Sequence, residues 1–284
     1  AGMGQDSPEY AHTLTEAIKL AFADREAYYG DPEFVDVPMA GLLSKGYAAT
    51  RSEMIDPARA WPEMPPPGEP AGAGPHATPT LSGSPAGPWK ADTSYTCVID
   101  RWGNAFSATP SDPELGTPLV PGLGIPISDR GSQSWLEDGH PSRLGPWKRP
   151  RLTPNPALAF KDGKPFLAFG TPGGDAQVQA MAQVFLNMVE FGMDPQQAVE
   201  APRFVSLSFP NSFWPHAYMP GRLMVESRVS RTVTDELSAR GHDVELLPDW
   251  TGQTGGACAI QVDPERGMLV AGADPRRESY AIGR

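Results

Sequence analysis

The sequence predicts an α+β protein, and three observations carry that reading. The first part repeats apolar residues at helical spacing, strand hairpins begin at Thr93, and the last third alternates helices with further strands. A Pro/Gly-rich stretch separates the first part from everything after Thr93.

Taken in order, Ser7 and Pro8 form an N-cap and first-turn pair, and Leu14, Ile18, Ala21, Phe22 and Arg25 follow on one helical face. Gly30 with Pro32 stops that helix, and a second is expected over about residues 39–55. From 57 to 88 the chain is dominated by Pro, Gly, Ala and Ser, with Pro65, Pro66 and Pro67 in the middle. Such a composition cannot bury enough apolar surface to fold alone, so a linker or exposed loop is expected. Three regions result: a helical one over 1–56, a linker over 57–92, and a strand-and-helix region over 93–284. In the last, 95–99 and 105–109 flank the turn Asp100–Asn104, and 157–160 and 166–169 flank Asp162–Gly163, which makes two hairpins. Gly170-Thr171-Pro172-Gly173-Gly174-Asp175 then opens a helix with Val178, Met181, Ala182, Phe185, Leu186 and Val189 on one face. Asp194–Pro195 starts a short helix ended by Pro202, and a helix from Ser230 to Arg240 is closed by Gly241. Strands are expected at 244–247, 257–262 and 268–271. No internal repeat is visible.

Composition narrows the function. A chain of 284 residues with 39% hydrophobic and 20% charged residues has an ordinary globular balance. The net charge of −11, spread along the chain, disfavours nucleic acid and anionic membrane as partners. No stretch has the apolar length to span a bilayer. The first residues carry neither an initiator methionine nor a signal peptide, so the compartment is not legible from them. Cys97 and Cys258 have no zinc or redox spacing and are expected as two buried thiols, with a disulfide as the alternative. His12, His76, His140, His216 and His242 share no metal-ligand spacing; each is expected on the surface or in a loop, and no metal or organic cofactor is expected. Neither G-x-S-x-G, H-E-x-x-H, a P-loop nor an EF-hand loop occurs. The turn from Gly170 to Asp175 runs from a strand into a helix N-terminus. Its adjacent glycines let backbone N–H groups approach an anion, which suits an oxyanion hole as well as a phosphate.

The segment from Asp92 through Thr93, Asp100, Gly103, Asn104 and Ala105 to Ser107 resembles the self-cleavage region of the γ-glutamyltransferase family, where a threonine opens a strand running into a D-x-x-G-N-A turn. Further blocks resemble the family in the same order: Lys148-Arg149-Pro150, then Gly170 to Gly174, then Ala201-Pro202-Arg203-Phe204, then Asp274-Pro275-Arg276. Residues 16–38, with Ala23-Asp24-Arg25 and Gly30-Asp31-Pro32, are similar to the end of the family's large subunit. Single blocks are weak; their shared order is not.

The resemblance implies the four-layer αββα sandwich of N-terminal-nucleophile hydrolases, of which this chain would supply a part. It also implies an upstream large-subunit segment or separate chain to complete the fold, and a heterodimer after processing. Cutting Asp92–Thr93 would give Thr93 an α-amino group of pKa near ~8 beside its own hydroxyl, so one residue would supply nucleophile and base. Gly173 and Gly174 would donate to the oxyanion, and Ser111 would hydrogen-bond the nucleophile. The family's asparagine two residues after that hydroxyl falls on Pro113, its glutamine and aspartate that read an α-amino group fall near Arg130 and Gln133, and its serine pair becomes Leu152 and Thr153. An arginine there repels an ammonium and welcomes an anion. The reading is an amidohydrolase or acylase acting on a small amide that can carry negative charge, with Arg130, Gln133 and Thr153 as substrate-binding residues. Glutathione hydrolysis or γ-glutamyl transfer is the alternative, and a non-catalytic binding relic the further one.

Overall fold

The computed structural model describes residues 2–76, 93–112 and 117–284. Asp92 and Pro113 lie outside the described residues.

Helix α1 spans Pro8–Tyr28. Ser7 caps it by accepting from Tyr10 N at 3.1 Å, and Pro8 sits in the first turn. The chain leaves the helix at Tyr29, just before Gly30, where a Cβ would lie 2.2 Å from Pro141 O. Only glycine allows that approach. The expected second helix is two, α2 over Met39–Leu42 and α3 over Lys45–Ser52. The break has a local cause: Ser44 turns extended and its side chain accepts from Tyr47 N at 3.1 Å, which starts a new helix. Residues 57–76 of the expected linker contain no helix or strand, yet they are pinned to the body. Ala60 N donates to Arg240 O, Met64 N to Tyr218 Oη and Gly68 N to Asp24 Oδ1. Their polar backbone is held by carbonyl and side-chain oxygens of neighbouring elements rather than left in solvent.

After Thr93 come strands β1 (Thr96–Ile99) and β2 (Ala105–Ala108), paired antiparallel with Ile99 opposite Ala105. A 3₁₀ turn covers Asp129–Gln133. Strands β3 (Ala157–Lys161) and β4 (Lys164–Gly170) form the second hairpin, closed by Asp162 and Gly163 at φ 52° and 74°. Two left-handed residues match the twist of the hairpin, as the Asp-Gly pair predicts. Helices α4 (Ala176–Val189) and α5 (Pro195–Glu200) follow, the latter with a full capping box between Asp194 and Gln197. Next come β5 (Phe204–Ser206), β6 (Arg222–Glu226), α6 (Arg231–Ala239), β7 (Asp243–Leu247), β8 (Cys258–Asp263) and β9 (Met268–Ala273).

Among the described residues the strands form three sheets, ordered β1-β2, β3-β4-β8-β9 and β5-β6-β7. In β4, Leu167 and Phe169 join Met181, Val184 and Met188 of α4 in one core. On the opposite face Gly170 carries the Tyr95 ring, so close that a Cβ would meet it at 2.2 Å. The four-stranded sheet therefore lies between the helical layer of α4 and α5 and the β1–β2 hairpin. These are three of the four layers expected. The three-stranded sheet also splits its faces by period two: Phe204, Leu223 and Val225 pack on α1 and α6, while Val205, Met224 and Leu247 pack on Ala176 of α4. On the outer side of the first hairpin Val98 and Phe106 are 53% and 57% exposed.

Candidate active site

Thr93 stands at the entry to β1, in an isolated antiparallel bridge with Ser111. Ser94 N donates to Pro110 O at 3.0 Å, so the two strand ends stay in register between the bridge and the hairpin. Within it the Thr93 Oγ1 and Ser111 Oγ hydroxyls are 2.8 Å apart. The pairing of a half-buried threonine with this serine is the one the family resemblance implies.

Arg130 comes to the same point from the 3₁₀ turn, whose Ser128 cap accepts from Arg130 N. Its guanidinium is buried and donates from Nη2 to both Ser111 O, at 2.7 Å, and Ser111 Oγ. From Nη1 it reaches Gln133 Oε1 at 3.3 Å and Thr153 Oγ1 at 3.5 Å. Gln133 Nε2 also lies 3.5 Å from Thr153 Oγ1. The Asp112 carboxylate is 3.9 Å from Arg130 Nε, and the Phe213 ring lies 5.5 Å from the guanidinium carbon. The structure thus gathers Thr93, Ser111, Arg130, Gln133 and Thr153 around one point.

Gly173 and Gly174 arrive on the loop after β4. Their φ values of 134° and 54° are in the left-handed region that favours glycine. Gly173 packs against Gly255, where a Cβ on Gly173 would lie 3.5 Å from Gly255 Cα, and Gly255 in turn admits no Cβ because Thr171 Oγ1 would be 2.5 Å away. Thr171 Oγ1 accepts from Gly256 N at 2.8 Å, which ties the two loops together. The loop is anchored from below by Asp175. Its carboxylate takes Arg25 Nη1 at 2.5 Å, Ser212 N at 2.7 Å and Ser212 Oγ at 2.6 Å. Arg25 itself lies between Asp175 and the buried Glu26, whose carboxyl is held well below the usual range by Arg151 and Arg25 despite its burial.

Sequence reasoning missed one neighbour of Thr93. Arg277 follows the D-P-R block and donates from Nη1 to Thr93 O at 3.4 Å. Its stem fills the space over Gly256, where a Cβ would sit 2.8 Å from Arg277 Cδ. Burial pushes its ionisation downward. Tyr95, two residues after Thr93, donates or accepts a 2.7 Å bond with Ser107 Oγ, and burial pushes its phenol above the usual range.

The expectation that the histidines lie on the surface or in loops fails for His12, which is buried on α1; His140, His216 and His242 lie in loops as expected, and they too are buried. His140 and His216 stack on the two faces of Trp135, at centroid distances of 4.2 and 4.0 Å. His12 Nδ1 meets His242 Nε2 at 2.9 Å, and with Glu16 they bring three donor atoms within 4.8 Å of one another. A cation is already there: Lys19 Nζ lies 2.7 Å from Glu16 Oε1 and donates to Trp61 O. Cys97 and Cys258 are free and half-buried, and burial pushes the Cys97 thiol up to about 11.

The layered α+β body has the N-terminal-nucleophile hydrolase fold shared by gamma-glutamyltranspeptidases and cephalosporin acylases. Within that class, the chain belongs to the gamma-glutamyltranspeptidase family, whose model matches residues 1–284. It is 37% identical over 277 residues to the glutathione hydrolase-like YwrD proenzyme of Bacillus subtilis, covering 97% of this chain and 47% of that protein. It is 32% identical over 281 residues to the oxamate amidohydrolase proenzyme of Klebsiella pneumoniae, covering 98% of this chain and 48% of that one. Among solved structures, that of LmbA2991HD superposes with a TM-score of 0.90 at 41% identity, covering 99% of this chain and 50% of that one. The chain thus spans about half the length of the relatives it matches.

Proposed function

We propose that this chain is the catalytic part of a self-processing amidohydrolase, with Thr93 as nucleophile and a small amide bearing a negative charge as substrate. The 2.8 Å pair of Thr93 Oγ1 and Ser111 Oγ beside a buried guanidinium carries this reading. Cutting Asp92–Thr93 frees an α-amino group that takes the Thr93 hydroxyl proton as Oγ1 attacks the amide carbon. The tetrahedral oxygen is met by backbone N–H groups of Gly173 and Gly174, and the amine departs to leave an acyl ester on Thr93. Water or an acceptor amine then releases the acyl group. The regions 1–56, 57–92 and 93–284 take the parts of large-subunit end, linker and small subunit, and an upstream segment or separate chain covers the exposed Val98 and Phe106.

The anionic preference rests on Arg130, with Gln133 and Thr153 beside its Nη1 edge. Those contacts, at 3.3 and 3.5 Å, are long enough for a substrate carboxylate to replace. Oxamate, the amide in the name of one relative, has a carboxylate next to its amide carbonyl. A γ-glutamyl substrate is the second reading, favoured by the relatives named glutathione hydrolase. Arg130 opposes it, since the ammonium of a γ-glutamyl group would face a cation.

The test measures amide hydrolysis and chain cleavage together. Thr93→Ala abolishes both, and the intact protein prefers small amides with an adjacent carboxylate over a γ-glutamyl anilide. Retained cleavage or hydrolysis in Thr93→Ala removes the nucleophile assignment, and a preference for the anilide restores the γ-glutamyl reading.

A further inference from the structure

We infer that Arg130 is a positioning residue for the nucleophile: it fixes the Ser111 hydroxyl so that its proton is donated to Thr93 Oγ1. This rests on the reading of Thr93 as nucleophile and assigns Arg130 a task separate from binding the substrate.

Distance alone leaves the direction of the Thr93–Ser111 hydrogen bond open, because either hydroxyl can donate. Arg130 breaks the tie. A guanidinium has donors and no acceptor, so Ser111 Oγ accepts from Arg130 Nη2 and keeps its own proton to give away. Thr93 Oγ1, 2.8 Å off, is the oxygen placed to receive it. The hydrogen bonds then run in one direction, from Arg130 to Ser111 to Thr93. They end on the oxygen that turns nucleophilic, and the Thr93 proton is not spent on Ser111.

The rest of the geometry serves this arrangement. The same Nη2 holds the Ser111 carbonyl at 2.7 Å, so both ends of the serine are fixed to one guanidinium. Arg130 is 7% exposed and braced by Gln133, Thr153 and the Phe213 ring. Charge at the head of the chain also matters. As the Thr93 proton passes to the α-amino group, Oγ1 takes on alkoxide character before bond formation moves the charge to the carbonyl oxygen, and a donor chain headed by a cation stabilises that character more than a neutral hydroxyl does.

A role limited to binding the substrate's anion predicts something different, and an uncharged acylating agent separates the two. A β-lactone opens on Thr93 Oγ1: the ring C–O bond breaks, the new ester forms, and the proton ends on the released hydroxyl. The rate of this labelling is followed by intact-protein mass spectrometry on the whole gene product, with thermal melting as the check on folding. Arg130→Met and Ser111→Ala each slow labelling by about 10²-fold, and the double variant is no slower than either single one. Ser111→Thr, which keeps the hydroxyl, and Arg130→Lys, which keeps a cationic donor, recover part of the rate. The pH profile of labelling keeps its shape in Ser111→Thr and moves to higher pH in Ser111→Ala.

Labelling that proceeds at the wild-type rate in Arg130→Met overturns the inference and leaves Arg130 as a substrate-binding residue alone. Should Arg130→Met not fold, a wild-type rate in Ser111→Ala overturns it equally. Strictly additive losses in the double variant also overturn it, since the two residues would then act separately. Labelling that persists in Thr93→Ala is a different failure, that of the nucleophile assignment.

Discussion

Two arginine clusters in this chain differ in how their charge is closed off. In the interior, Arg203 meets Asp274 at 2.6 Å, and Arg276 meets Glu226 at 2.5 Å and Asp274 at 3.0 Å. Thr254 Oγ1 and Arg228 complete the Glu226 carboxylate, and Arg228 lies on the face of Trp250. The four central side chains are at most 1% exposed. At the candidate site, Arg130 is nearly as buried, but the carboxylate facing it is Asp112 at 3.9 Å, on a side chain 36% exposed. Its close partners are neutral oxygens of Ser111, Gln133 and Thr153. Burial alone does not mark a functional arginine. The interior cluster spends its charge on the fold, while Arg130 keeps a positive field beside the hydroxyl we propose as nucleophile.

The comparison is broken most strongly from its closed side. Asp274→Ala leaves two buried guanidinium groups short of a carboxylate, a change that costs about 3–5 kcal/mol when one partner of a buried pair is removed. Urea unfolding should show that loss, or the variant should accumulate as insoluble protein. A drop under 1 kcal/mol would mean that the network relaxes or admits water, and the contrast with Arg130 would collapse.

A buried histidine pair gives the next effect, and its sign can be worked out. Burial, then the charges of Lys19 and Arg240 around the His12 contact, push His242 from 6.5 down to about 3. The folded protein therefore refuses a proton that the unfolded chain takes up below pH 6.5. Stability from this group is complete above that pH and falls as pH drops toward 3, by roughly 2 kcal/mol at pH 5. Glu16, 3.9 Å away, and Lys19 face the same ring from α1. The carboxyls of Asp274 and Glu226 are also held below their usual values, but their losses begin only nearer pH 4. Denaturation measured at pH 7 and pH 5 separates the histidines from the carboxyls; burial lowers His140 as well, so His242→Gln should remove the larger part of the difference rather than all of it. An equal loss in that variant assigns the acid sensitivity elsewhere.

Local signals were legible in the sequence, and long-range ones were not. Ser7–Pro8 opened α1, Asp162–Gly163 closed a hairpin and the glycine turn led into α4, because each is set by residues next to one another. Strands β5 and β6 gave no such signal: the first is three residues long just after Pro202, and both are buried on two faces, which erases alternation. Thr93 and Ser111 came from the family resemblance. What Arg130 does there could not be read, since its partners Ser111 and Thr153 stand 19 and 23 residues away and are reached only through the 3₁₀ turn. His12 was misread for the same reason: it finds its partner 230 residues along the chain.

The smallest effect tests the open side. Asp112 is exposed and 3.9 Å from Arg130 Nε, so solvent screens the pair and Asp112→Ala should change stability by less than about 1 kcal/mol. Its effect on chemistry should be the more visible one. Without that carboxylate the field at Arg130 becomes more positive, so an anionic amide should bind more tightly, seen as a lower KM with kcat nearly unchanged. Neutral amides should not respond. Raising the salt concentration should shrink the KM difference, because a charge this exposed acts through screened space. A stability loss as large as that of Asp274→Ala would instead make Asp112 a structural counter-ion, and the two arginine clusters would then be built alike.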